Sequence, residues 1–135
     1  MGKPRQNTWY GLAFERICML HIPQIKKRLG IEQIYTEYYS WCSKCSTPAA
    51  QIDLLIERAD HLINLCEIKY SQSPYTITKE EELNIRTRMG DFVEETGVRH
   101  GILPTLITTF GIRPNAHSAI AQVQLTMDDL FDDMG

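Results

Sequence analysis

The sequence has no run approaching the eighteen or so apolar residues of a membrane-spanning helix. Its opening, MGKPRQNTWYG, lacks the apolar centre of a secretory signal. Both absences point to a cytoplasmic protein with no membrane partner. Cysteine is scarce: Cys18, Cys42, Cys45 and Cys66 are too few for a disulfide scaffold in 135 residues. Cys18 and Cys66 lie in apolar stretches and are expected as small core residues. Cys42 and Cys45 form one C-x-x-C, and neither a second C-x-x-C nor an H-x-x-H completes the four ligands of structural zinc. Free loop thiols are expected there, with a zinc-binding module as the lesser alternative. Excess positive charge is missing too. The net charge is −3 and the end, MDDLFDDMG, is acidic, so tight unaided binding to nucleic acid is not expected. Internal repeats and low-complexity segments are absent.

What is present is an ordinary globular composition, 43% hydrophobic and 23% charged, at a length that suits one domain over residues 1–135. Leu12, Ile17, Leu20 and Ile25 recur near helical spacing, predicting a helix from Trp9 to Leu29 that Gly30 stops and Pro23 kinks or divides. The β-branched and aromatic stretch Ile34 to Trp41 predicts a strand, and Cys42 to Ala50 a loop. Gln51 to Glu57 and Leu62 to Tyr70 read as two strands of a hairpin joined by Arg58-Ala59-Asp60-His61. A second helix is predicted from Lys79 to Thr96, ended by Gly97. Ile102 to Phe110 reads as a strand, Gly111 to His117 as a turn, and Ile120 to Leu125 as a short strand. The long crossover through the second helix allows a parallel pairing. The expected fold is therefore α/β, a mixed central sheet with helices packed against it as a sandwich.

The hairpin concentrates the chemistry. Its loop is centred near Asp60, and Asp53 and Glu67 stand seven residues to either side. In that register they oppose each other, with Cβ atoms about 4.5–5.5 Å apart. Lys69 shares the face of Glu67 by alternation. Two carboxylates so close need a cation or a proton between them. Mg²⁺ and Mn²⁺ take such hard oxygen ligands and activate water against a phosphodiester, and an ammonium nearby orients that water or neutralises charge on phosphorus. A solvated salt bridge across the hairpin is the plainer alternative. The apolar neighbours in QIDLLI and LINLCEIKY weigh against it, because charges in half-buried sheet are usually paired or functional.

Asp53, the Glu67-Ile68-Lys69 triplet and Glu15 in the first helix together resemble the PD-(D/E)XK nuclease superfamily. The order of helix, three strands, helix and strand is similar to that superfamily's core. The resemblance implies a restriction-endonuclease-like fold, metal binding by Asp53, Glu67, Glu15 and the Ile68 carbonyl, and assistance to hydrolysis by Lys69. The segments GLAFERICMLHIPQIKKRLG and QIDLLIERADHLINLCEIKYS look like the C-terminal domain attached to certain prokaryotic AAA-type ATPases. That implies a domain of a larger ATPase-containing chain, cleaving nucleic acid, DNA above RNA, as an endonuclease with Mg or Mn. A catalytically inactive nuclease fold serving its ATPase as an interaction or regulatory module is the alternative. Ile52 stands where the motif's name has proline, and no Gln-x-x-x-Tyr follows in the second helix; Lys79 or Arg86 would then supply phosphate contacts.

Other residues carry milder expectations. Gln51 is placed on the face away from Asp53, in packing or a loop contact. Tyr70 and Ser71 line the cleft or make the turn. Tyr35, Tyr38, Tyr39 and Trp41 are expected to pack on the sheet rather than stack on bases. Lys26 to Arg28 read as a solvated helix end suited to the helix dipole, and His21, His100 and His117 take no role.

Overall fold

The computed structural model describes residues 2–44 and 50–131, so Cys45 and the C-x-x-C it would complete lie outside the described residues. Two helices open the chain, α1 (Gly2–Leu20) and α2 (Ile22–Leu29). They part at His21, the residue before α2, and Pro23 sits in α2's first turn, where its missing N–H has no helical partner to lose. Gly30 ends α2 at φ 73°, a left-handed conformation that glycine adopts without strain. The expected single helix with a break is thus two helices. Its buried positions differ from the expected stripe: Phe14, Cys18, Ile22 and Ile25 go inward, while Leu12 and Leu20 are 61% and 72% exposed.

The strands β1 (Thr36–Cys42), β2 (Gln51–Arg58), β3 (Leu62–Lys69), β4 (Gly101–Thr108) and β5 (Val123–Thr126) form one sheet in sequence order. The first two junctions are antiparallel and the last two parallel. Helix α3 (Lys79–Thr96) makes the crossover from β3 to β4. Thr78 caps it, its side chain accepting from the Glu81 N–H, and Gly97 closes it at φ 69°. A four-residue helix, α4 (Met127–Leu130), follows β5.

Alternation along the strands builds two cores. Leu54, Ile56, Cys66, Ile107 and Leu125 pack on one face with Phe14 and Cys18 of α1, Ile22 and Ile25 of α2, and Leu130 of α4. On the other face Ile52, Leu55, Ile63 and Leu65 surround Phe92 of α3, and Leu106 meets Ile85. The molecule is an α/β sandwich with a mixed sheet between helical layers. Cys18 and Cys66 are core residues, as composition suggests. The edge strand β1 departs from expectation. Only Trp41 packs inward, its ring 5.4 Å edge-on from Phe92. Tyr35, just before β1, and Tyr38 are 70% and 60% exposed, and Tyr39 points its hydroxyl at Glu57 at 2.8 Å. Among the described residues no helix is long and apolar enough to cross a membrane.

Candidate active site

The site lies where β2 and β3 separate. Their register runs Glu57↔Ile63, Ile56↔Asn64, Leu55↔Leu65 and Leu54↔Cys66, and one step further sets Asp53 opposite Glu67. On its other side β3 stays paired to β4 as far as Lys69↔Thr108. The sheet therefore opens between β2 and the end of β3, and Glu67-Ile68-Lys69 forms one lip of the opening.

Asp53 forms the other lip, and a bulge sets its position. β1 pairs Tyr39 with Leu55 but Trp41 with Ile52, so Asp53 and Leu54 together stand against the single Ser40. An extra residue of this kind breaks the alternation of side chains and re-aims one of them. Leu54 packs towards α1, and Ile52 and Leu55 both pack towards α3, which leaves Asp53 at the change of face. From there it touches one layer and acts on the other. Its carboxyl lies close to that of Glu15 of α1, and its charge reaches Glu67. Gln51 Nε2 donates to Asp53 Oδ1 at 3.3 Å. This corrects the expectation for Gln51: residues two apart on a strand share a side, so it supports Asp53.

Burial, then the Asp53 charge, then the bond to Asp53 raise the Glu15 pKa above the ordinary carboxylate value. Beneath them the Cys18 thiol is pushed up to about 12 by burial and by the Glu15 charge, so it stays an inert core residue.

Glu67 is 8% exposed and faces α3. Burial raises its pKa, Arg88 and Lys69 pull it back, and Asp53 and Glu81 push it up again. Lys69 Nζ lies 3.9 Å from Glu67 Oε1 and 3.0 Å from Glu81 Oε2. Glu81 also accepts the Tyr75 hydroxyl, which burial and that bond keep protonated far above the ordinary tyrosine range. Arg88 Nη1 lies 3.5 Å from Glu67 Oε1.

Helical spacing accounts for these partners. Glu81, Ile85, Arg88 and Phe92 recur at steps of four, three and four, so they share the face of α3 turned to the sheet. Arg86 is two positions from Arg88 and faces the other way. It pairs with Glu82 at 2.8 Å, and Glu82 in turn holds His117 Nδ1 at 2.8 Å. Arg86 therefore lies off the sheet-facing stripe that carries Arg88. Lys79 is exposed at the start of α3. The Ile68 side chain packs against the α1 layer, with its backbone in the stretch of β3 beyond the last residue paired to β2. Tyr70 stacks on Tyr10 with ring centroids 5.6 Å apart, and the Ser71 N–H donates to Thr109 Oγ1, so both hold the strand end in place. Arg28 at the end of α2 bonds Asp129 of α4 at 3.1 Å.

The donor chemistry suits a hard divalent cation. Glu15 and Asp53 are neighbouring carboxyls whose repulsion a cation would relieve, and the buried Glu67 carboxyl is within electrostatic reach. Among the described residues no three His, Cys, Asp or Glu side chains already converge on one point. In this arrangement Glu67 is paired with Lys69 and Arg88.

No family model matches the chain, and no curated protein does. In fold it is similar to the crystal structure of a protein of unknown function, AF1548, with a TM-score of 0.54 and 18% identity over 87% of this chain. It spans 64% of that protein's length.

Proposed function

We propose that the chain is the nuclease domain of a larger protein, hydrolysing phosphodiester bonds of DNA with Mg²⁺ or Mn²⁺ held by Asp53, Glu67 and Glu15. The observation that supports the reading is the hairpin register, which stops at Leu54↔Cys66 just before Asp53 and Glu67, with Glu15 beside Asp53 and Lys69 3.9 Å from Glu67. When bound, the metal would polarise the phosphodiester and acidify a water. The residues around it have separate tasks. Glu15 and Asp53 would present carboxylate oxygens. Gln51 steadies Asp53 from the same strand. Lys69, anchored at 3.0 Å by Glu81, holds an ammonium beside Glu67, where it can orient a water or meet charge growing on phosphorus. The likeness in fold to a protein of unknown function is silent on this chemistry. Support comes from the residues and from their resemblance to the PD-(D/E)XK superfamily. A net charge of −3 suits delivery to substrate by a neighbouring ATPase domain better than independent tight binding.

A metal-titrated cleavage assay on plasmid and oligonucleotide DNA tests the proposal. Asp53→Ala is expected to abolish turnover, and Lys69→Ala to lower it by roughly 10²–10³-fold, the scale of losing one transition-state electrostatic group. Equal cleavage by parent and variants would remove the assignment. One observation favours a second reading, an inactive partner-binding module of the ATPase: Glu67 is already satisfied by two cations. An intact fold that takes up no Mn²⁺ in calorimetry would select it.

A further inference from the structure

Arg88 does something the proposed chemistry has not used. Its guanidinium carries five N–H donors in a planar fork suited to two oxygens of a carboxylate or phosphate. Here it meets only one oxygen of Glu67, at 3.5 Å, and no hydrogen bond joins it to any partner among the described residues. That is a loose ionic contact at the lip of the sheet opening. Lys69, the other cation on Glu67, is differently placed. It has a second and closer carboxylate in Glu81 at 3.0 Å, and Glu81 is fixed in turn by the Tyr75 hydroxyl. If Glu67 turned to another cation, Lys69 would stay anchored, while Arg88 would lose its one ion pair among the described residues.

We propose that Arg88 is a phosphate ligand held in reserve by Glu67 and released towards substrate when a divalent cation takes that carboxylate. The proposal rests on the metal-site reading above. A divalent ion on Glu67 replaces Arg88 as the neutralising charge and repels the guanidinium. The side chain, rooted on the sheet-facing stripe of α3, then swings its fork to the non-bridging oxygens of a phosphodiester at the opening. Metal and nucleic acid would therefore help each other to bind through one side chain, and the two effects must be reciprocal. In the metal-free protein the same contact keeps a naked cation off nucleic acid, in keeping with the chain's acidic balance.

The experiment measures two affinities for the parent, Arg88→Ala and Arg88→Lys, with far-UV circular dichroism as a check on folding. Mn²⁺ alone is titrated calorimetrically. A short DNA duplex is titrated by fluorescence anisotropy in EDTA and again in Ca²⁺, a hard cation that takes oxygen ligands. Arg88→Ala is expected to bind Mn²⁺ about fivefold more tightly than the parent, because a competitor for Glu67 is gone. Ca²⁺ is expected to tighten duplex binding by the parent about tenfold and to leave Arg88→Ala nearly unchanged. Arg88→Lys, which keeps the charge but loses the fork, should retain the weaker Mn²⁺ binding and only part of the Ca²⁺ effect. A bystander charge would behave differently, lowering duplex affinity by the same factor in EDTA and in Ca²⁺, and that result overturns the proposal. So does Mn²⁺ affinity unchanged by both substitutions. No Mn²⁺ uptake by the parent would overturn the metal site itself, and this proposal with it.

Discussion

At Glu67 burial and two neighbouring cations act in opposite directions, and burial prevails: the carboxyl pKa lies above its ordinary value despite Arg88 and Lys69. A raised pKa in the folded state means that folding favours the protonated form. The stability this contributes is complete below the unfolded value, near 4.3 for a glutamate, and is lost as pH rises through the folded value. Glu15 shifts in the same direction, with burial first and Asp53 second among its causes. A neutral group is therefore easier to bury at this position than a carboxylate. Glu67→Gln, assayed in EDTA, is expected to melt at a higher temperature than the parent at pH 7.5, with the difference closing as pH falls to about 4. Thermal melts across that range check it. A lower melting temperature for Glu67→Gln at pH 7.5 would show that the ion pairs with Arg88 and Lys69 outweigh burial. Stability surrendered at one residue is an expected mark of a site kept for chemistry.

The elements decide how much of this could be read in advance. The hairpin was legible because a short loop fixes the register of both strands, and the pairs from Glu57↔Ile63 to Leu54↔Cys66 keep the symmetry about Asp60. The bounds of α3 were legible as well, with Gly97 as the stop signal. The bulge was not. It depends on how β1 docks against β2 after the intervening loop, which no local pattern encodes, and it turns Asp53 towards Glu15. The tyrosines of β1 misled because aromatic strand propensity is silent about whether a face is covered, and this edge strand is mostly bare. Glu81 and Arg88 went unnoticed although a signal existed: both fall on the spacing that buries Ile85 and Phe92. A charged residue in register with an apolar stripe points at the sheet, so it is aimed at something. That stripe gives a prediction about α3. Phe92 is fully buried against Ile52, Leu55, Ile63, Leu65 and Trp41, whereas Val93 next to it is exposed. Phe92→Ala is expected to lose about 3–5 kcal/mol and Val93→Ala less than about 0.5 kcal/mol, by urea denaturation. Similar losses at both positions would mean that α3 is rotated on the sheet, and with it Arg88.

On the proposed reading, the question for the whole molecule is how an acidic domain would meet a polyanion. Among the described residues the cations at the proposed site are Lys69 and Arg88 at the opening, with Lys79 at the start of α3. Others are occupied elsewhere, Arg28 by Asp129, Arg58 by Asp60 and Arg86 by Glu82. Each phosphate neutralised on duplex DNA contributes about 0.9 to the slope of log affinity against log salt. Three cations then predict a slope of roughly −2 to −3, against about −10 for a repressor that tracks many phosphates. Affinity should be correspondingly modest, in the range of about 10⁻⁴–10⁻⁶ M typical of non-specific contacts. Anisotropy titrations of a short duplex from 50 to 200 mM salt, in Ca²⁺, measure both quantities. A slope steeper than about −5 would reveal an extended basic surface and remove the need for delivery by another domain. A shallow slope with weak binding means that cleavage at low concentration requires tethering. A flexible link to a DNA-bound partner supplies millimolar effective concentration, enough to saturate a site this weak. Fusing the chain to an unrelated DNA-binding domain through such a link should then raise cleavage near that domain's site, while the same two domains unlinked should give no such gain.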